Sequence, residues 1–239
     1  DIIVEINRLP KRGETIAARD DKTGYMIPGG KGANQATAIA RASNSSTVAK
    51  LSCVFGNDGH ARKLNKTLAD NKVIADRGSL SLNAECPSGQ AFIFLEPRGE
   101  NSIIIVGAAN NEWPKELHGA LKDAIKSASC VLLQQEIPAR VNLQVAKFAC
   151  EAKVPVMMDV GGEERSFPRE LLQCLELISP NETELARATG MKTETKEQCV
   201  TAARQLINKG CGKVLVTLGK DGVILVTGNK PEVVHTTTN

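Results

Sequence analysis

Aromatic residues are nearly absent, with five Phe, one Trp and one Tyr in 239 residues. An aromatic cage or a base-stacking platform needs several such rings, so both are disfavoured. An excess of one charge is also missing. Thirty Lys and Arg stand against 27 Asp and Glu, the signs are interspersed, and the net charge is only +3. That leaves no basic stripe for nucleic acid. No run of about 18 apolar residues occurs, and no charged-then-apolar leader, so neither a membrane span nor a signal peptide is expected. The chain reads as soluble and cytoplasmic, an organelle staying open because the sequence begins with Asp1 rather than Met.

Other absences narrow the chemistry. The seven cysteines (Cys53, Cys86, Cys130, Cys150, Cys174, Cys199 and Cys211) are odd in number and form no Cys-x-x-Cys pair. They read as reduced, mostly buried thiols. His60, His118 and His235 share no ligand spacing with them and read as surface or helix residues. Neither a Gly-x-Ser-x-Gly elbow nor a His-Glu-x-x-His pair is found, which removes the hydrolase and zinc readings.

What is present is a chain 41% hydrophobic and 24% charged, a globular balance. With few aromatics, its core must come from Val, Ile, Leu and Ala, the usual filling between parallel strands and covering helices. Short apolar runs suited to buried strands occur at 52–55, 91–95, 103–106, 131–133, 154–158, 177–178, 214–218 and 223–226. Helical patterns cover 35–42, 61–71, 114–127, 139–153, 182–189 and 196–209. From Val131 onward strands and helices alternate, which argues for a mostly parallel sheet flanked by helices on both faces. Residues 88–106 read instead as a hairpin around Glu96-Pro97-Arg98-Gly99-Glu100-Asn101. The expected division is an α/β core of residues 1–9, 29–88 and 107–239 with a small β lid of residues 10–28 and 89–106. The start inside the apolar run Ile2, Ile3, Val4 and Ile6, and the end after the polar 235–238, both read as incomplete.

Four segments invite a ligand. Gly29-Gly30-Lys31-Gly32-Ala33-Asn34 places three glycines and a lysine before an Ala-rich helix. Glycines allow close backbone approach, and helix-start N–H groups donate to hydroxyl or anionic oxygens. The segment matches neither the Walker A spacing nor the dinucleotide fingerprint, and a plain packing turn is the competing reading. Asn181 and Glu184 follow a strand and suit either a capping box or a hydrated Mg²⁺. Thr217-Leu218-Gly219-Lys220-Asp221-Gly222 is a turn at a strand end, a place for a nucleotide contact or for nothing more. Glu136 ends the run Gln134-Gln135-Glu136 directly after a buried strand, where a carboxylate can meet sugar hydroxyls or only solvent.

In order along the chain, Asp1 to Ile6 with Gly13-Glu14-Thr15, then residues 29–35, Gly99-Glu100-Asn101, Pro180-Asn181-Glu182-Thr183-Glu184 and Thr217 to Gly222 resemble the ribokinase branch of the PfkB family of sugar kinases. Residues 102–110 and Met158-Asp159-Val160-Gly161-Gly162 add likeness to the plant-like members, the latter in place of an Asn-Pro-Ala-Pro stretch in others. The resemblance implies a ribokinase-like fold and transfer of the ATP γ-phosphoryl group to the 5-hydroxyl of D-ribose, with Mg²⁺ and a monovalent cation, K⁺. It assigns Asp1, Gly30, Lys31, Gly32, Ala33, Asn34 and Glu136 to the sugar. Asn181 and Thr217, Leu218, Gly219, Lys220, Asp221 and Gly222 fall to the nucleotide, and Glu184 to the metal through water. It puts the catalytic base, in an Asp-Thr-Thr-Gly-Ala-Gly-Asp segment, after residue 239, with the rest of the C-terminal part of the fold. The catalytic base is therefore expected outside this sequence. A homodimer through the β lid is the expected assembly. Another sugar or nucleoside as acceptor, or a non-catalytic sugar-binding protein, are the alternatives.

Overall fold

The structure is a computed structural model that describes residues 1–19, 24–44, 46–76, 78–162, 167–228 and 230–232. Residues 20–23 of the expected first lid segment, and His235, lie outside the described residues. The chain packs as two units, Asp1–Trp113 and Pro114–Asn239.

In the first unit, β1 (Ile2–Glu5), β2 (Tyr25–Met26), β5 (Gln90–Leu95) and β6 (Asn101–Val106) form one sheet in the order β2-β1-β5-β6. β5 and β6 are the expected hairpin, antiparallel from Gln90↔Val106 to Leu95↔Asn101. β1 differs from expectation. Expected with residues 1–9 in the α/β core, it runs parallel to β5 and antiparallel to β2, inside the same four-stranded sheet. The segment after β1 is drawn back onto it by the Glu5 carboxylate, which accepts from Arg19 and from the Tyr25 hydroxyl. The Arg19 N–H also donates to the Glu5 carbonyl at 2.8 Å.

The same unit holds α1 (Lys31–Ala42), α2 (Gly59–Asp70) and a short parallel pair, β3 (Val54–Phe55) with β4 (Leu82–Asn83). Ala33 and Ala36 of α1 and Ala61 and Leu68 of α2 meet Phe55 and Val73 in a small core. Small residues allow helix and strand backbones to approach closely. Asp58 caps α2 through Ala61 N–H at 2.9 Å and also receives the N–H and hydroxyl of Ser88, both at 2.7 Å. Burial would raise its pKa, but these bonds and the nearby His60 hold it down at about 2.

The second unit is the alternation read from sequence. β7 (Val131–Gln135), β8 (Val156–Gly162), β9 (Leu177–Ser179) and β10 (Lys213–Thr217) are neighbours and parallel. β11 (Val223–Thr227) and β12 (Lys230–Glu232) add antiparallel edges. The intervening helices are α3 (Gly119–Lys126), α4 (Ala139–Glu151), α5 (Arg169–Leu172), α6 (Glu182–Thr189) and α7 (Lys196–Asn208). Burial alternates along β10 and β11, with Val214, Val216, Ile224 and Val226 buried and their neighbours only partly so. α4 packs on β7 and β8, and α7 on β10 and β11.

Helix bounds shift where side chains intervene. The helix expected over 114–127 begins only at Gly119, because Arg140 and Gln144 of α4 donate to the Pro114 and Lys115 carbonyls, each at 2.6 Å. His118 becomes its cap, Nδ1 accepting from Leu121 N–H at 3.4 Å. The thiols differ from expectation as well. All seven are free, but only Cys199 and Cys211 are buried and Cys150 is exposed.

Candidate active site

In the first unit the site residues form one corner. Asp1 and Ile27 exchange backbone hydrogen bonds of 2.9 and 3.0 Å, which sets Gly29 against the Asp1 side chain. A Cβ on Gly29 would stand 2.1 Å from Asp1 Oδ2, so a larger residue there would displace the Asp1 carboxylate. Gly30 then caps α1 at φ 92°, a conformation open to glycine and rarely to other residues. No side chain caps this helix, and its first turn carries no acidic residue. A carboxylate beside an uncapped helix start can accept from one hydroxyl while the turn donates to another oxygen.

The six-residue loop expected here is shorter than read. Only Gly29 and Gly30 remain irregular, and Lys31 to Asn34 make the first turn of α1, closed by Asn34 N–H to Gly30 C=O at 2.9 Å. Gly32 sits within that turn, and Asn34 is exposed on it. Ala33 was assigned to the sugar, but its side chain belongs to the small core, leaving its N–H as the group able to reach a ligand. Gly29, absent from the expected site residues, is the residue against which the Asp1 carboxylate lies. Its signal in the sequence was a second glycine ahead of the capping one.

In the second unit the carboxyl ends of β7, β8, β9 and β10 lie along one sheet edge, where open α/β sheets bind ligands. β9 leads to Asn181, whose Oδ1 accepts from Glu184 N–H at 2.8 Å while Glu184 Oε2 accepts from Asn181 N–H at 2.8 Å. This is a complete capping box. Thr217 at the end of β10 bridges to Asn181 and donates its N–H to Pro180 C=O at 3.0 Å. The cap and the turn are thereby one corner. The turn closes through Leu218 N–H to Gly222 C=O at 2.9 Å, with Gly219 at φ 53° and Gly222 at φ 89°. Lys220 and Asp221 are exposed at its tip. Leu218 was assigned to the nucleotide, but its side chain is buried, so only its backbone faces that role.

Glu136 follows β7 on the same sheet edge and is half-buried. The register between β7 and β8 shifts between Leu133 and Gln135. Asn142, buried in α4, donates Nδ2 to the Gln134 carbonyl at 2.7 Å and so holds the strand end that carries Glu136. That anchor was not legible in sequence, since an Asn within an apolar helix face gives no hint of its partner. Asp1 and Gly30 to Asn34 belong to the first unit, and Glu136, Asn181, Glu184 and Thr217 to Gly222 to the second. Among the described residues no group of three or more His, Cys, Asp or Glu is placed to hold a metal ion.

Residues 4–238 match the model of the pfkB family carbohydrate kinases. The chain belongs to the pfkB family. Within it, the ribokinase of Arabidopsis thaliana is 44% identical over 235 residues, 97% of this chain and 60% of that protein. The deoxyribokinase of Salmonella typhimurium is 32% identical over 235 residues, 95% of this chain and 72% of that protein. A solved structure of the Arabidopsis ribokinase complexed with ribose and ATP superposes with a TM-score of 0.83 at 40% identity, covering 99% of this chain and 74% of that one. The chain thus spans about three-fifths of the first of these pfkB relatives and about three-quarters of the others. The ribokinase-like α/β fold is the pfkB fold expected from sequence.

Proposed function

We propose that the protein is an ATP-dependent ribokinase, transferring the γ-phosphoryl group of ATP to the 5-hydroxyl of D-ribose. The observation that carries this reading is the 44% identity to a ribokinase across 97% of the chain. Phosphoryl transfer asks a protein chiefly to position the acceptor and to stabilise phosphate charge. The Asp1 carboxylate and the uncapped start of α1 suit hydroxyl recognition, with Asn34 and Glu136 as further polar contacts. The glycine turn Thr217 to Gly222 suits a nucleotide, since both positive-φ glycines leave its backbone open to close approach.

Glu184 suits hydrated Mg²⁺. One of its oxygens, Oε2, is committed to the capping box, and a carboxylate offers a second to a metal-bound water. Asn181 and Glu184 would hold that hydrated ion, which supplies neutralisation of phosphate charge when bound with ATP. K⁺ belongs to the same proposal. By the family pattern the 5-hydroxyl proton goes to an aspartate of an Asp-Thr-Thr-Gly-Ala-Gly-Asp segment, which residues 1–239 do not contain. A homodimer through the four-stranded sheet is supported by its exposed apolar residues, Ile103, Ile104 and Ile105 on β6 and Met26 on β2. Sedimentation velocity checks it, a dimer being expected and a monomer at micromolar concentration rejecting it.

The test of function is ADP release with D-ribose, ATP, Mg²⁺ and K⁺, using a polypeptide that continues past Asn239 alongside the 239-residue chain. Turnover by the longer polypeptide alone is expected. A higher kcat/KM with 2-deoxyribose would reassign the acceptor, a reading favoured by the deoxyribokinase relative. No turnover with any sugar, together with retained ribose binding, would point to a non-catalytic binding protein. Asn34→Ala is expected to weaken ribose binding by about 10-fold or more with little change in Tm, as a lost charge-free hydrogen bond of about 1.5 kcal/mol implies.

A further inference from the structure

At their carboxyl ends β7 and β8 part. Leu133 pairs with Met158 and the next pair is Gln135 with Gly162, so the single residue Gln134 faces Asp159, Val160 and Gly161. Extra residues on one strand leave part of the ladder unpaired, and other groups must satisfy the backbone there. Two side chains do so. Asp159 Oδ1 accepts from Gly161 N–H at 2.7 Å, and Asn142 of α4 donates Nδ2 to the Gln134 carbonyl, also at 2.7 Å. The second bond spans the short link from β7 to α4, which begins with Glu136 and ends at Pro138. Asn142 shares its helix face with Val145, Ala146 and Ala149, all buried, and is itself 2% exposed. Its Oδ1 is buried with no hydrogen-bond partner among the described residues. An apolar side chain would fill that face at less cost, so what the amide supplies is the bond to Gln134.

We propose, on the ribokinase reading above, that Asn142 is a positioning residue for the acceptor sugar: by fixing the Gln134 carbonyl it sets where the Glu136 carboxylate stands. A short link has little freedom once both its ends are held. β7 holds one end and α4 the other, and the bond from Asn142 to Gln134 joins the two across the base of the link. Charge-assisted bonds from sugar hydroxyls to a carboxylate are short and directional, so a carboxylate displaced by about 1 Å loses much of their value. Asn142, being buried, acts only through Glu136. Its effect therefore falls on the sugar and spares ATP, whose candidate contacts follow β9 and β10.

The test is a double-substitution cycle in the polypeptide that continues past Asn239, with Asn142→Leu, Glu136→Ala and the two together. Leu matches Asn in shape and lacks the donor, and Asn142→Ala, which cannot overpack, carries the same comparison if Asn142→Leu does not fold. Asn142→Leu is expected to raise the KM for ribose about 10-fold and to change the KM for ATP by less than about twofold. In the Glu136→Ala background the same substitution should leave the KM for ribose unchanged, because the group it positions is already gone. A merely structural role would instead move both KM values and would add its effect to that of Glu136→Ala. Either of those results, or a KM for ribose that ignores Asn142→Leu, would overturn the positioning role while the ribokinase reading stands. No ribose turnover by the unsubstituted polypeptide would remove that reading, and the role of Asn142 with it.

Discussion

The two principal sheets of this protein are built from similar residues and buried differently. In the six-stranded sheet of the second unit, β10 and β11 alternate buried with half-buried positions, and α7 packs on both strands. In the four-stranded sheet of the first unit, every residue of β1, β2, β5 and β6 is half-buried or exposed, including the run Ile103, Ile104, Ile105 and Val106. Apolar β-branched residues therefore do not by themselves make a core. A covering helix does, and in the first unit α1 and α2 spend their apolar faces on the small core around Phe55 instead. An uncovered apolar sheet is the kind of surface that monomers seldom keep exposed.

The contrast can be broken by substitution. The largest effect is expected for Ile178→Ala in β9, a fully buried position, at about 2–5 kcal/mol of unfolding free energy in a urea melt. A loss below 1 kcal/mol would mean that the helix-covered face is loosely packed. Next comes Asn181→Ala, which removes the side-chain cap on Glu184 N–H and keeps the reciprocal bond from the Asn181 backbone N–H to Glu184. A cost of about 1 kcal/mol is expected, read by faster hydrogen exchange in α6. Unchanged exchange there would show that the tie to Thr217 alone holds the corner.

A pH effect sharpens the comparison from the other side. Asp58 is held near 2 when folded, below its ordinary 3.8, so its contribution is complete above about pH 4 and is lost as pH falls toward 2. Hydrogen exchange in α2 and around Ser88 should accelerate over that window, and Asp58→Asn should remove the dependence. Exchange that rises equally in both units would assign the acid sensitivity elsewhere. The smallest effect is expected for Ile104→Ala, 58% exposed, at about 0.5 kcal/mol or less in the monomer. A larger loss that grows with protein concentration would mean that a second chain covers the sheet.

Elements with locally specified ends were legible from sequence. The helix Glu182–Thr189 was read to the residue because Asn181 and Glu184 fix its start and Gly190, at φ 72°, its end. The hairpin of β5 and β6 and the turn from Thr217 to Gly222 were legible for the same reason, since glycines and polar residues mark them within a few positions. The partner of β1 was not legible, because a short apolar strand carries no mark of which sheet it joins. Nor was the start of α3, which depends on Arg140 and Gln144 more than twenty residues away.

The same division holds for the candidate site. Sequence alone determined which chemical groups are available: a carboxylate at Asp1, a glycine-led helix start, an amide and carboxylate at Asn181 and Glu184, and a glycine turn after a strand. These follow from residue type and spacing over a few positions. The tertiary structure decided which atoms of them can act. It packed Gly29 against the Asp1 carboxylate, turned Ala33 and Leu218 into cores, joined Asn181 to Thr217, and set Asn142 under the strand end before Glu136. Those outcomes rest on contacts between residues distant in the chain, and short-range propensity cannot specify them.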